Sequence, residues 1–129
     1  MSERATLTVT SVLGVLLFIV HWTQDVVVGI DTVGIQSYGG VALMVLWLSA
    51  ATILRDRRAG KVTLLLFSIL AAGMPVLLAA GMPVLHLKGS RILEIARGDG
   101  GLLYLLVLLT LAVTATFSAI LAIRELRRR

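Results

Sequence analysis

The chain has 129 residues, of which 58% are hydrophobic and only 15% are charged, and its mean hydropathy is +0.99. This composition excludes an ordinary soluble domain and indicates one membrane-embedded domain over residues 1–129. The net charge of +5 does not indicate nucleic-acid binding, because the basic residues cluster at the ends of apolar runs. The chain has no cysteine, which excludes disulfides and cysteine-ligated metal centres.

Four apolar runs predict four transmembrane helices, at about residues 7–28, 38–54, 62–87 and 102–123. The expected fold is an all-α, up-down bundle of four helices in the lipid bilayer. Between the third and fourth runs, apolar and charged residues separate onto two faces over residues 91–97. That pattern predicts a short interfacial helix that lies on the membrane surface.

The third run contains the octapeptide LAAGMPVL twice, over residues 70–85. A straight helix through the whole run would exceed the hydrocarbon thickness, and Pro75 and Pro83 predict that it is kinked or broken. Two interpretations stay open. Gly73 and Gly81 could let neighbouring helices approach a close-packed, kinked helix. Alternatively, carbonyl groups freed by the prolines could line a hydrated cavity.

The basic residues near the ends of the runs divide nine to three between the two sides of the membrane. Nine lie at Arg4, in the loop 55–61 and in the tail 124–129, and three lie between residues 88 and 97. By the positive-inside rule, both termini are expected on the cytoplasmic side of a multi-pass protein. We expect a bacterial cytoplasmic membrane.

The strongest candidate for a functional site is formed by His21, Asp25 and His86. His21 and Asp25 are four residues apart and share a helix face near the outer end of the first run, and His86 ends the third run. Together they could hold a metal ion, haem b or a proton, supported by the polar groups of Gln24 and Trp47. The alternative is structural: Asp25 contacts water at the membrane boundary and His21 hydrogen-bonds between helices.

The fourth run carries a weakly polar stripe with four-residue spacing, formed by Thr110, Thr114 and Ser118. The simplest interpretation is a helix-packing surface, because small side chains let helices approach closely. A polar pore wall is the alternative, although no ionisable residue belongs to the stripe.

Motifs of nucleotide-binding proteins, zinc proteases and serine hydrolases do not occur in the sequence, which argues against an enzyme. Three functions remain. The first is a non-enzymatic accessory or scaffold subunit that binds another membrane protein or a second copy of itself. The second is the outward-facing metal, haem or proton site, and the third is a small oligomeric transporter.

In length and helix count the chain resembles the small multidrug resistance transporters. Those transporters rely on a membrane-buried glutamate in the first span and commonly insert in both orientations. Here the first 28 residues contain no glutamate beyond Glu3, and the basic residues are strongly asymmetric. Both differences argue against membership of that family.

Overall fold

The computed structural model describes residues 2–27, 34–79 and 97–128, with the backbone alone for residues 35–37 and 77–79. These residues form four α-helices and no β-strand. The helices are α1 (Glu3–Val27), α2 (Ile35–Thr52), α3 (Arg58–Ala79) and α4 (Gly101–Arg127). The all-helical class predicted from the sequence is confirmed for this part of the chain.

Three of the helices, α1, α3 and α4, are long and apolar enough to cross a membrane. The apolar part of α2, Tyr38–Thr52, is shorter. The helices also extend beyond the predicted apolar runs. α1 begins four residues before its run because the Ser2 hydroxyl accepts a hydrogen bond from the Ala5 amide, and α4 continues into the charged tail as far as Arg127.

Each helix packs against its neighbours in sequence, and α4 also packs against α1. The side-chain contacts show that these neighbours are antiparallel: the start of α1 lies beside the end of α4 at Arg4 and Glu125, and the end of α1 lies beside the start of α4 at Asp25 and Tyr104. α3 also begins beside the end of α4, where Lys61 contacts Glu125. Within the described residues, α2 and α4 do not contact each other.

The buried positions recur at alternating spacings of three and four residues, as they do where helices pack side by side. On α4 this buried stripe comprises Tyr104, Leu108, Leu111, Ala115, Ser118, Ala122 and Glu125. The outward positions of the same helix are apolar, with Leu102, Leu103 and Leu109 at least 60% exposed. An apolar outside around an inside that holds serine and glutamate suits a lipid environment.

Trp47 of α2 fills the centre of the interface between α1, α2 and α3. Its ring stacks on Phe67 with centroids 5.4 Å apart, and meets Phe18 edge-on at 6.2 Å. A side chain at Gly14 would contact the indole at 3.2 Å, so this glycine allows α1 and α2 to approach closely. The tryptophan is 3% exposed and therefore acts as a core residue.

The connection between α2 and α3 is a tight turn over residues 53–57. The Arg57 amide donates to the Leu54 carbonyl oxygen at 2.9 Å, and a side chain at Gly60 would overlap that same carbonyl group. Glycine is therefore required where α3 begins. α4 begins directly after Gly100, which adopts a left-handed conformation with φ of 90°.

α3 continues through Pro75 to Ala79, so the first proline does not break the helix. Residues 80–96 lie outside the described residues; they include Pro83, most of the second copy of the octapeptide and nearly all of the predicted interfacial helix. The predicted kink and interfacial helix therefore stay predictions.

Candidate functional site

The cluster formed by His21, Asp25 and Tyr104, here called the histidine cluster, brings together two adjacent helices. His21 and Asp25 lie one helical turn apart near the end of α1, and Tyr104 lies in the first turn of α4. His21 and Tyr104 are buried positions of their helices, and Asp25 is half-buried. Because α1 and α4 are antiparallel, residues far apart in the sequence meet at one end of the structure.

The carboxylate of Asp25 is the centre of the histidine cluster. The Tyr104 hydroxyl donates a hydrogen bond to Asp25 Oδ1 at 2.7 Å, and His21 Nε2 lies 3.7 Å from Asp25 Oδ2. The His21 and Tyr104 rings also contact each other, with centroids 5.2 Å apart. Each carboxylate oxygen thus faces a different titratable side chain.

These groups are largely removed from solvent. His21 is 4% exposed and Tyr104 is 2% exposed, while the Asp25 side chain retains 17% exposure. Two further polar atoms, His21 Nδ1 and Gln24 Oε1, are buried with no hydrogen-bond partner in the described part of the protein. Burial with unused hydrogen-bonding capacity is costly unless the site binds something, so this end of the helices is the strongest candidate for a functional site.

Trp47, predicted as a supporting polar residue, does not lie at the histidine cluster. It is level with Gly14, seven residues before His21 on α1, which is about 10 Å along the helix. Its indole N–H has no hydrogen-bond partner among the described residues. Gln24 is half-buried beside Asp25 in the sequence.

The other predicted residues are spread along the helices. His86 and Gly81 lie outside the described residues, and Gly73 is half-buried with open space where a side chain would project. Of the stripe on the fourth run, Thr110 is exposed and bonds to its own helix at the Leu106 carbonyl, 2.7 Å away. Thr114 is half-buried and Ser118 is fully buried, because residues spaced by four drift around a helix.

A second cluster, at the opposite end of the helices, was not predicted from the sequence. Glu125 of α4 is 2% exposed and lies 3.2 Å from Lys61 Nζ of α3 and 3.4 Å from Arg4 Nε of α1. Arg128 contacts the same carboxylate at 3.3 Å and also pairs with Glu3 at 2.6 Å. We call Glu125, Lys61, Arg4 and Arg128 the glutamate cluster; it joins three helices.

The glutamate cluster borders an open cavity of about 480 Å³. The residues that line it are Asp56, Arg58, Lys61, Glu125, Leu126 and Arg128. A signal for this cluster was available in the sequence, since Glu125 is the one acidic residue in a tail otherwise rich in arginine. It also continues the three-and-four spacing of Tyr104 and Ser118, which identifies it as an interior position.

The described part of the chain does not contain a complete metal site. Residues 2–27, 34–79 and 97–128 hold no group of three histidine, cysteine, aspartate or glutamate side chains placed to bind one metal ion. The predicted set includes His86, which lies outside these ranges, so the metal and haem sites stay predictions.

No protein-family model, curated protein or solved structure gives a significant match to this chain. Its function must therefore be argued from the geometry of its own residues.

Proposed function

We propose that this chain is a four-span integral membrane protein that binds a proton at the histidine cluster, on the outer side of the membrane. Both termini then lie in the cytoplasm. The nine-to-three division of basic residues supports this orientation. The antiparallel contacts of α2 with α1 and α3 support a fourth span and an up-down bundle, although α2 is the shortest helix.

The observation that carries the proposal is the placement of Asp25 between a tyrosine hydroxyl and an imidazole. Tyr104 donates to one carboxylate oxygen at 2.7 Å, and His21 Nε2 lies 3.7 Å from the other. Histidine is the side chain whose charge changes most readily near neutral pH. Burial disfavours the protonated form of an imidazole, and a neighbouring carboxylate opposes that effect by stabilising it. The hydrogen bond from Tyr104 would keep the Asp25 carboxylate ionised and oriented toward His21.

Nδ1 of His21 adds a second reason to regard the cluster as a binding site. One imidazole nitrogen faces Asp25, while Nδ1 is buried and has no partner among the described residues. An imidazole that takes up a proton at one nitrogen can release one from the other. The cluster therefore has the groups needed to pass a proton and not merely to store it.

The proposal can be tested by following the protonation of His21 in purified, reconstituted protein. With ¹⁵N-labelled histidine, the imidazole signals are recorded between about pH 4 and 9, a range that brackets the unperturbed titration of histidine. A His86→Gln background leaves His21 as the only histidine. We expect the His21 transition to change in Asp25→Asn and to be unchanged in the matched variant Asp99→Asn, whose aspartate is exposed in the turn before α4.

A His21 signal with the same pH dependence in wild type and Asp25→Asn would contradict the proposal, because the two side chains would then share no proton. Stoichiometric metal or a Soret band, lost in His21→Ala and His86→Ala, would replace the proton site by the predicted metal or haem site. Substrate-induced proton flux in liposomes that depends on Asp25 would identify a transporter. The accessory or scaffold function also stays a prediction.

A further inference from the structure

Three serines lie in the interior of the protein, one on each of the helices α1, α3 and α4. Ser11 and Ser68 are 0% exposed and Ser118 is 1% exposed. Their hydroxyl oxygens have no hydrogen-bond partner in the part of the protein that the structure describes. A buried hydroxyl left without a hydrogen-bond partner destabilises the folded protein, so three of them call for an explanation.

The register of the helices brings these three serines to one level. Each lies seven residues, or two helical turns, from a member of the glutamate cluster: Ser11 from Arg4, Ser68 from Lys61 and Ser118 from Glu125. Arg4 and Lys61 both contact Glu125, so these three residues lie at one level. Because α1 and α3 run antiparallel to α4, a seven-residue advance from that level along each helix leads to the same depth, about 10 Å further into the protein. Seven residues also return a side chain to nearly the same helix face.

The hydroxyls of the serine layer differ from those of several threonines on α1, α2 and α4. Thr10, Thr23, Thr52, Thr110 and Thr116 each donate to the carbonyl oxygen four residues earlier, at 2.7 to 2.9 Å. Those threonines satisfy their hydroxyls within their own helix. The three buried serines do not form this bond, so their hydroxyls remain available to a ligand that lies between the helices.

A fourth unused polar group lies close to the serine layer. The indole N–H of Trp47 is buried without a partner in the described residues. Its ring lies beside Gly14, three residues from Ser11, and stacks on Phe67, the residue that precedes Ser68. The interior at this depth therefore offers one further donor next to the hydroxyls.

We infer that the serine layer binds water inside the membrane-spanning part of the protein. Buried waters in proteins typically make about three hydrogen bonds to polar groups that are otherwise unsatisfied, and each serine hydroxyl can both donate and accept. The layer has no carboxylate, which disfavours a dehydrated cation as the occupant. This inference does not depend on the histidine cluster, which lies ten residues further along α1 from Ser11.

Replacing each serine by alanine tests the inference, because the direction in which the unfolding midpoint shifts depends on whether the hydroxyl binds water. In wild-type protein and in Ser11→Ala, Ser68→Ala and Ser118→Ala, unfolding is followed in micelles against increasing denaturing detergent. If water joins the hydroxyls, each variant lowers the unfolding midpoint, and the double variant Ser11→Ala, Ser118→Ala loses less than the two single shifts added together. The matched control is Thr116→Ala, an exposed hydroxyl on the same helix, for which we expect no shift.

An unchanged or raised midpoint in all three serine variants would overturn the inference. A raised midpoint would show that the hydroxyls are dry, because removing an unpaired hydroxyl relieves a penalty. An unchanged midpoint would show that they bond back to their own helices. Solid-state NMR gives a direct second measurement, in which magnetisation is transferred from water to side-chain protons. We expect transfer to Ser11, Ser68 and Ser118 but not to Leu111, which is 0% exposed in the same interior; no transfer to the serines would also overturn the inference.

Discussion

The two ends of the helices are joined by polar clusters that differ in kind. At the glutamate end, one buried carboxylate is surrounded by three basic side chains: Arg4 of α1, Lys61 of α3 and Arg128, which follows α4. At the histidine end, one carboxylate is held by a neutral tyrosine hydroxyl and approached by an imidazole, from two helices. The first arrangement is a set of fixed charges, whereas the second has the groups that the proposed proton binding requires. We therefore expect the glutamate end to fasten the helices and the histidine end to carry the proposed function.

The largest expected effect comes from removing the carboxylate at the glutamate end. Glu125→Ala would leave Lys61, whose side chain is only 15% exposed, without its closest opposite charge. We expect the free energy of unfolding to fall by about 3 kcal/mol, because breaking a buried ion pair leaves a charge uncompensated. Detergent-induced unfolding of the reconstituted protein measures this change.

The matched control for this variant is Glu3→Ala. Glu3 also pairs with an arginine, Arg128, but its side chain is 37% exposed. A pair near the surface contributes less than about 1 kcal/mol. Equal losses in both variants would show that the glutamate cluster fastens the helices no better than a surface ion pair.

Much of the fold could be predicted from the sequence, because long apolar runs form helices in a membrane whatever their partners are. The positions of Glu125 and Lys61 could not be read from the runs, since both lie just beyond the predicted ends of their spans, where charged residues are normally assigned to the surface. Tyr104 lies inside the predicted fourth run, but the run alone does not show which residue its hydroxyl contacts. Only the pairing of α1 with α4 reveals that its hydroxyl reaches Asp25.

Alanine substitutions of one glycine near each end of the helices should change stability in opposite directions. Gly60→Ala places a methyl group against the Leu54 carbonyl, at the glutamate end beside Lys61. Backbone cannot move aside as a flexible side chain can, so we expect a loss of about 2 kcal/mol of unfolding free energy. Gly39 of α2 has open space around it, and Gly39→Ala should stabilise the helix by about 0.5–1 kcal/mol.

Both glycine variants are measured by thermal and detergent-induced unfolding under identical conditions. Opposite signs are the expected result. A stabilising Gly60→Ala would mean that the turn over residues 53–57 relaxes freely, and the close connection of α2 to α3 would then not be a constraint on the glutamate end.

At the histidine end, we expect a smaller destabilisation from Tyr104→Phe than from Glu125→Ala or Gly60→Ala. This change removes one hydroxyl that donates to Asp25 at 2.7 Å and preserves the ring that contacts His21. A hydrogen bond to a charged group contributes about 1.5 kcal/mol, so the unfolding free energy should fall by about that amount. Tyr38→Phe is the matched control, because Tyr38 is 77% exposed and should change stability by less than about 0.5 kcal/mol.

A double-mutant cycle with Asp25→Asn separates the hydrogen bond from the rest of the tyrosine's packing. In the Asp25→Asn background, the charged acceptor is gone, so Tyr104→Phe should lose less than it does in wild type. If the two losses are equal, Tyr104 stabilises α4 through its ring alone, and the tyrosine does not hold the Asp25 carboxylate. A smaller loss of unfolding free energy in the Asp25→Asn background would show that the Tyr104 hydroxyl stabilises the protein through the Asp25 carboxylate. The proposed proton site at the histidine end requires this coupling.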